Sequence, residues 1–408
     1  MSGAITEWRH CRVCGSNELS LFIELPSMPL VDNLLRVEEL GNEFRDDLRL
    51  YLCEECGLAQ TLRDVNVGDY YRDYQYTVGL SPFARRFMQR LAEQVWRNYD
   101  LKPGDAVIEV GSSDGAQLAC FQELGARVLG FEPSTSLTQT ARTRGIAVIQ
   151  KLFEERSVAD IPADLLPAQV LLLAHTFDHL PDPMSFLRAA QRVLDPQRGV
   201  LVIEVHDLAK TVARREFCVF AHEHTTYYYA ASIQRVLRRA GFDLINTTLI
   251  PDAEQRGNSL IVVATPPGSA HVQTKLPPLD LGALGDAKPL RTFGQSVNTS
   301  LARLRDFVQT QKQQGIRLAG YGAGGRGVMT LAAVARPDDF AYVCDQNPHL
   351  HGYYTPGTHI LVSAPERLLT DPVNQVIVFS FGYFQEIYDE LAEFRQRGGK
   401  LISLLDLL

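Results

Sequence analysis

Apolar residues recur along this chain in three rhythms, and each rhythm marks a region. From residue 1 to about 75 they come in short strand-like pieces, LSLFIEL and RLYLC, separated by turn residues. From about 82 to 265, apolar runs (AVIEV, ARVLGFE, QVLLLAH, GVLVIEV) alternate with helix-period stretches such as DGAQLACFQEL and MSFLRAAQRVL. That alternation predicts a parallel sheet with helices on both faces. The region closes differently. A helical ASIQRVLRRAG leads to FDLINTTLI, a polar turn and SLIVVAT, which predicts a terminal hairpin of two strands. Residues 266 to about 290 carry five prolines and no sustained period, so they read as a linker or wrapping segment. A helix is expected over roughly 296–314, with Leu301, Leu304, Phe307 and Val308 on one stripe. The βαβ rhythm then resumes through RLAGYG, VMTLAAVA, FAYVCD, HILV, QVIVFSFG and KLISLLDL. The expected division is 1–75, 76–265 and 266–408, and 408 residues suit two or three cores.

Composition changes this picture little. With 45% hydrophobic and 22% charged residues the sequence reads as an ordinary globular protein. A formal net charge of -8 argues against a nucleic-acid polymer as ligand, though one small phosphate in a basic pocket is compatible with it. The start, MSGAITEWRH, does not pattern as a secretory signal, and no apolar run approaches the ~20 residues of a membrane span. A cytoplasmic location with no membrane partner is expected. Four of the seven cysteines form two C-x-x-C pairs, Cys11/Cys14 and Cys53/Cys56, a spacing that points to a metal rather than disulfides. Four thiolates close a tetrahedral coordination sphere, so the expected ion is a structural Zn2+.

VIEVGSSDGAQL, from Val107, reads as a strand, a glycine loop and a helix start. Gly111 lets the backbone approach a ligand, and Gly115 opens a helix whose amides face it. Glu109 stands at the strand end. Glu132, 21 residues beyond Gly111, stands at the end of the next strand, where an acid takes both ribose hydroxyls of a nucleoside. With the apolar fourth strand and the terminal hairpin, these features favour S-adenosylmethionine (SAM) as ligand and the class I methyltransferase fold. NAD is the alternative. A second fingerprint, GAGGRG from Gly322 to Gly327, follows RLAGY, with Asp345 about where a Rossmann ribose acid would be. NAD, a phosphate cradle using Gly322, Gly324 and Arg326, and a purely structural turn all remain open for it. AHEHTTYYY, from Ala221, holds His222, Glu223 and His224, which read as metal ligands, a packed pair, or a base with its partner. Tyr70, Tyr71, Tyr74 and Tyr76 suit a core or a pocket wall. His175 and His179 flank the end of the fourth strand and could approach a methyl donor.

Taken in order, CRVCG (Cys11), PLVDN (Pro29), YLCEECGL (Tyr51), DYQY (Asp73), the Gly111 loop, HEH (His222), the Gly322 loop, DQNP (Asp345) and PGTH (Pro356) resemble the sugar-nucleotide C-methyltransferases of deoxysugar pathways. The resemblance covers nearly the full length. It implies a zinc-binding domain and a Rossmann-like rear domain flanking a class I SAM domain, with a nucleotide-diphosphate ketosugar held by the rear domain. It also implies His224 as base, Glu223 supporting the site and Tyr76 against the substrate; His222 is expected in the substrate site. Where that family carries F-D-T-I-Y-H-E-H, this sequence has FCVFAHEH, with Cys218 and Ala221 replacing an aspartate and a tyrosine. Thr176, Phe177 and Asp178 replace an asparagine pair, and G-G-S-L-R becomes GNSLI, with Asn258 and Ile261. The expected chemistry is deprotonation beside a ketone, then attack of the enolate on the sulfonium methyl, with His206 or Glu223 next in line as base. An N- or O-methyltransferase on a non-sugar molecule, or a NAD-dependent oxidoreductase, are the alternatives.

Overall fold

The computed structural model describes residues 5–31, 33–66, 71–72 and 81–408. At the front, β1 (Ile5–Glu7) pairs antiparallel with β5 (Arg63–Val65), and β2 (Leu19–Pro29), β3 (Arg45–Cys53) and β4 (Ala59–Thr61) form an antiparallel meander. The middle region contains β6 (Ala106–Val110), β7 (Arg127–Phe131), β8 (Val148–Ile149), β9 (Val170–Ala174), β10 (Val200–His206), β11 (Thr226–Tyr227), β12 (Asp243–Asn246) and β13 (Ser259–Thr265). Seven of these form one sheet in the order β12-β13-β10-β9-β6-β7-β8. Within it β13 runs antiparallel to its neighbours, which is the class I methyltransferase topology.

The strands are apolar throughout because both faces are covered. Ile108, Leu171, Leu173 and Ile203 pack on one side, and Val107, Val170, Leu172 and Val202 on the other. Helices Ala116–Glu123, Pro183–Val193 and Leu208–Arg214 follow β6, β9 and β10, so the loops at these carboxyl ends meet along one edge of the sheet. Open α/β sheets bind their ligands at that edge.

The rear sheet is all parallel, in the order β16 (Val362–Ser363), β15 (Val343–Cys344), β14 (Leu318–Tyr321), β17 (Gln375–Val378), β18 (Lys400–Ser403). Before it runs a helix over Ala287–Gln313, which starts nine residues earlier than the apolar stripe suggests. Asp286 caps it by accepting from the Lys288 amide at 2.8 Å, and Pro289 falls in the first turn, where no intrahelical amide bond is lost. One apolar core takes in Phe22 and Leu50 of the front sheet, Phe217 and Phe220, Leu290 and Phe293 of this helix, and Val328 and Phe379 of the rear. Between front and middle, β11 adds itself to the free edge of β4 (Thr226 opposite Gln60), so the front sheet is completed by the segment that follows His224. Among the described residues no helix is long and apolar enough to cross a membrane.

Candidate active site

Two tight turns build the metal centre. The Gly15 amide donates to the Cys11 carbonyl at 2.9 Å and the Gly57 amide to the Cys53 carbonyl at 2.8 Å, with both glycines at positive φ. The four Sγ atoms lie within 4.8 Å of one another, with Cys11–Cys56 at 3.6 Å and Cys14–Cys53 at 3.5 Å. Four sulfurs at ~2.3 Å from one tetrahedral ion stand about 3.8 Å apart, so the set fits Zn2+. Four thiolates this close need such a cation to ionise together.

At the middle glycine loop, Gly111 has φ +74, and a Cβ there would sit 2.3 Å from the Thr176 hydroxyl. Gly115 caps its helix in the left-handed region. Glu132 accepts from the Ser113 amide at 2.9 Å and the Ser134 amide at 2.8 Å, which aims its carboxylate at the mouth of the glycine loop. Burial pushes its pKa up, against the pull of those amides. Glu109 is 3% exposed, and its Oε2 has no partner among the described residues. A buried acceptor left over beside the loop is what a ligand bearing hydroxyl and ammonium donors would satisfy, so the residues fit SAM. These four residues thus share one sheet edge.

At the ends of β9 and β10 the fold gathers four histidines around one carboxylate. The His206 and His224 ring centroids lie 5.2 Å apart, His179 and His224 4.6 Å, and His175 and His206 4.5 Å. Asp178 is 2% exposed, and its Oδ2 lies 3.2 Å from His206 Nδ1. Burial alone would raise that carboxyl, but the His206 hydrogen bond and the neighbouring imidazoles hold it below the usual range. Burial pushes His179 and His206 down to about 3 and lowers His224, so neutral rings prevail. His224 donates from Nδ1 to the Val219 carbonyl at 2.9 Å. That tautomer leaves a lone pair on Nε2.

The other members of the HEH segment face the front module. Glu223 accepts from the Val31 amide at 2.7 Å, and His222 Nε2 lies 3.2 Å from the Met28 and Asp46 carbonyls. Asp178, therefore, is the carboxylate that acts electrostatically on His224. Tyr71 reaches His179 Nδ1 at 2.7 Å, while Tyr70, Tyr74 and Tyr76 lie outside the described residues. The space beside Ala221 is filled from within the same loop: the Tyr227 phenol bonds both its amide and its carbonyl at 3.1 Å. Sequence patterns alone did not bring Asp178, His206 and His224 together. The one signal was that Asp178 and His206 are polar residues at the ends of apolar strands.

In the rear loop, Gly322 has φ +101, and Gly324 caps the helix Gly325–Val334. Asp345 accepts from the Ala323 and Asn347 amides at 2.8 and 2.9 Å, holding the loop from below. Arg326 leaves this loop toward the middle region. It donates to Asn258 Oδ1 at 3.1 Å and stacks 5.0 Å from the Phe381 ring, and its buried Nε has no partner among the described residues. Its charge helps lower His224. Ile261 is fully buried opposite Glu204, and the guanidinium beside that carboxylate comes instead from Arg256, whose Nε lies 3.2 Å from Glu204 Oε1.

Residues 11–71 match a zinc binding domain, 80–247 a methyltransferase domain and 257–405 a C-methyltransferase C-terminal domain. The sequence is 28% identical over 400 residues to the C-methyltransferase NovU of Streptomyces niveus, covering 96% of this protein and 94% of that one. It is 28% identical over 95 residues to a ubiquinone biosynthesis O-methyltransferase of Xanthomonas oryzae pv. oryzae, 23% of this protein and 40% of that one. The SAM-bound magnesium protoporphyrin IX methyltransferase of Synechocystis PCC 6803 aligns at TM-score 0.36 and 14% identity, over 49% of this protein and 95% of that one. The protein is a SAM-dependent methyltransferase whose three regions match, in order, the zinc binding, methyltransferase and C-methyltransferase C-terminal domain families.

Proposed function

We propose that this enzyme methylates carbon in a small ketone, a sugar carried on a nucleoside diphosphate, through an enolate raised by His224. The observation that carries this reading is the position of Arg326, which stands at the rear glycine loop yet crosses to Asn258 of the middle region. An acceptor whose diphosphate lies along Gly322, Gly324 and Arg326, with Asp345 behind the loop, would reach the histidines and the mouth of the Gly111 loop. The similarity to NovU along nearly the whole length supports the same reading, and with it a place in deoxysugar and antibiotic pathways. The division into 1–75, 76–265 and 266–408 is part of the proposal.

When bound, SAM supplies an activated methyl group on a sulfonium. The protein's task is to make a carbon nucleophile. His224 Nε2 takes the proton from the carbon beside the ketone, and the electron pair moves onto the ketone oxygen as an enolate. Charge developing on that oxygen needs donors, and Tyr76 is proposed as one, with Glu223 and His222 holding the HEH segment against the front module. The enolate carbon is then the nucleophile for the methyl. The test is solvent deuterium exchange into the ketosugar without methyl transfer. Wild type should exchange and His224→Ala should not, with turnover lower by ~10²–10⁴-fold. Exchange at the wild-type rate in the variant would move the base elsewhere, to His206 first. Methylation without exchange in either protein would replace the ketone with a nitrogen or oxygen acceptor.

A further inference from the structure

We propose that His175, Asp178 and His206 form a second metal site, for a divalent first-row cation, at the carboxyl ends of β9 and β10. One ring nitrogen of each histidine and one oxygen of Asp178 lie within 4.8 Å of one another. Two imidazoles and a carboxylate are a donor set that leaves positions on the cation open for an exogenous oxygen. His206 Nδ1 and Asp178 Oδ2 are 3.2 Å apart, between the ~3.0 Å of an octahedral and the ~3.4 Å of a tetrahedral ion for neighbouring ligand atoms bonded at ~2.1 Å.

Two orphaned atoms point the same way. Asp178 is 2% exposed, and its Oδ1 has no hydrogen-bond partner among the described residues. His175 Nδ1 is likewise buried and without a partner among them, whereas its Nε2 lies 3.3 Å from Glu204 Oε1. A histidine held by a carboxylate through one nitrogen, with the other left over, has the arrangement that metal-binding histidines show. His175 also sits at φ 50, a left-handed conformation that strains a non-glycine residue and that persists at ligand sites. Asp178, His179 and His224 form an overlapping group, but the orphaned imidazole nitrogen belongs to the first set. The site is chemically separate from the four-cysteine centre, since its ligands are nitrogen and oxygen rather than thiolate. Lying beside His224, a cation here would be placed to take an oxygen of the acceptor. That role rests on the proposed ketone chemistry; the binding does not.

The experiment uses the full-length protein with zinc in the cysteine site, titrated with Co2+ alone and followed by visible absorption and elemental analysis. Wild type should take up one further equivalent of cobalt whose spectrum lacks thiolate charge transfer. His206→Gln should lose that equivalent while keeping its zinc and its SAM affinity. Asp178→Asn, an isosteric change, should do the same and decides the question if the histidine variant fails to fold. A wild type that binds no cobalt beyond the thiolate centre would overturn the site, as would variants that bind the extra equivalent as tightly as wild type. Because cobalt uptake is read without acceptor, its failure leaves the deuterium-exchange test of the enolate standing, and the reverse holds too.

Discussion

Glu132 is a single carboxylate that shapes the glycine loop of the middle region. Its two oxygens already hold the Ser113 and Ser134 amides, which fix the glycine loop, and each oxygen keeps a further lone pair for a ribose hydroxyl. Glu132→Ala should remove a charge-assisted bond of roughly 1.5–3 kcal/mol, weakening SAM by about 10- to 150-fold in calorimetry. Unchanged affinity would take Glu132 out of the nucleoside site. The place of Glu132 at a strand end was legible in the sequence, and its nucleoside role is what the calorimetry tests. The proposal of His224 as base came only through a resemblance, and the carboxylate near it was not legible at all. Glu223 is adjacent in sequence but turns to Val31, whereas Asp178, 46 residues before His224, reaches the imidazole cluster. Adjacent residues in a loop point in different directions, and only the folded backbone decides which way each one faces.

At the scale of elements, the rear loop and its helix depend on close approach. A Cβ on Gly327 would lie 1.9 Å from the Gly322 carbonyl oxygen and 3.2 Å from the Phe379 ring, so the helix Gly325–Val334 sits against its own loop. This is the third glycine of the fingerprint, and packing explains it. Gly327→Ala should force loop and helix apart, costing about 1–3 kcal/mol of stability. It should also abolish stabilisation by nucleoside diphosphates in thermal shift while leaving SAM affinity unchanged. Equal loss of both ligands would show that the two loops are not separate sites. The helix Ala287–Gln313 carries the opposite lesson. Its first turn was hidden because proline reads as a breaker in sequence, yet costs nothing where the amide has no intrahelical acceptor.

At the scale of the whole molecule, the zinc-binding module is tied to the sheet edge that carries His224. Arg12 is buried against Asp64 at 2.9 Å and reaches forward to the Pro181 carbonyl at 3.0 Å, in the loop that carries His179. The Thr61 amide donates to the Thr225 carbonyl at 3.0 Å, and the Thr225 amide donates to the Asp178 carbonyl at 2.8 Å. With Glu223 on Val31, just past β2, both neighbours of His224 are tied to the front region. Cys53→Ser, or removal of zinc by a chelator, should therefore lower turnover by about 100-fold, as a displaced catalytic group does, with SAM affinity unchanged. Stopped-flow turnover beside SAM calorimetry separates the two effects. Full activity in a zinc-free protein would make the module a passive appendage.

The sequence by itself determined the parts: two cysteine knuckles, a doubly covered parallel sheet with a glycine loop and a second-strand acid, and a second βαβ region with its own glycine loop. Each is a local pattern in which spacing and period dictate the geometry. Only the tertiary structure decided how the parts meet. The edge pairing of β11 with β4, Arg326 crossing from the rear loop to Asn258, and four histidines converging on Asp178 all join residues from separate elements. Long-range contacts of this kind arise from packing and strand order, which leave no period in the sequence.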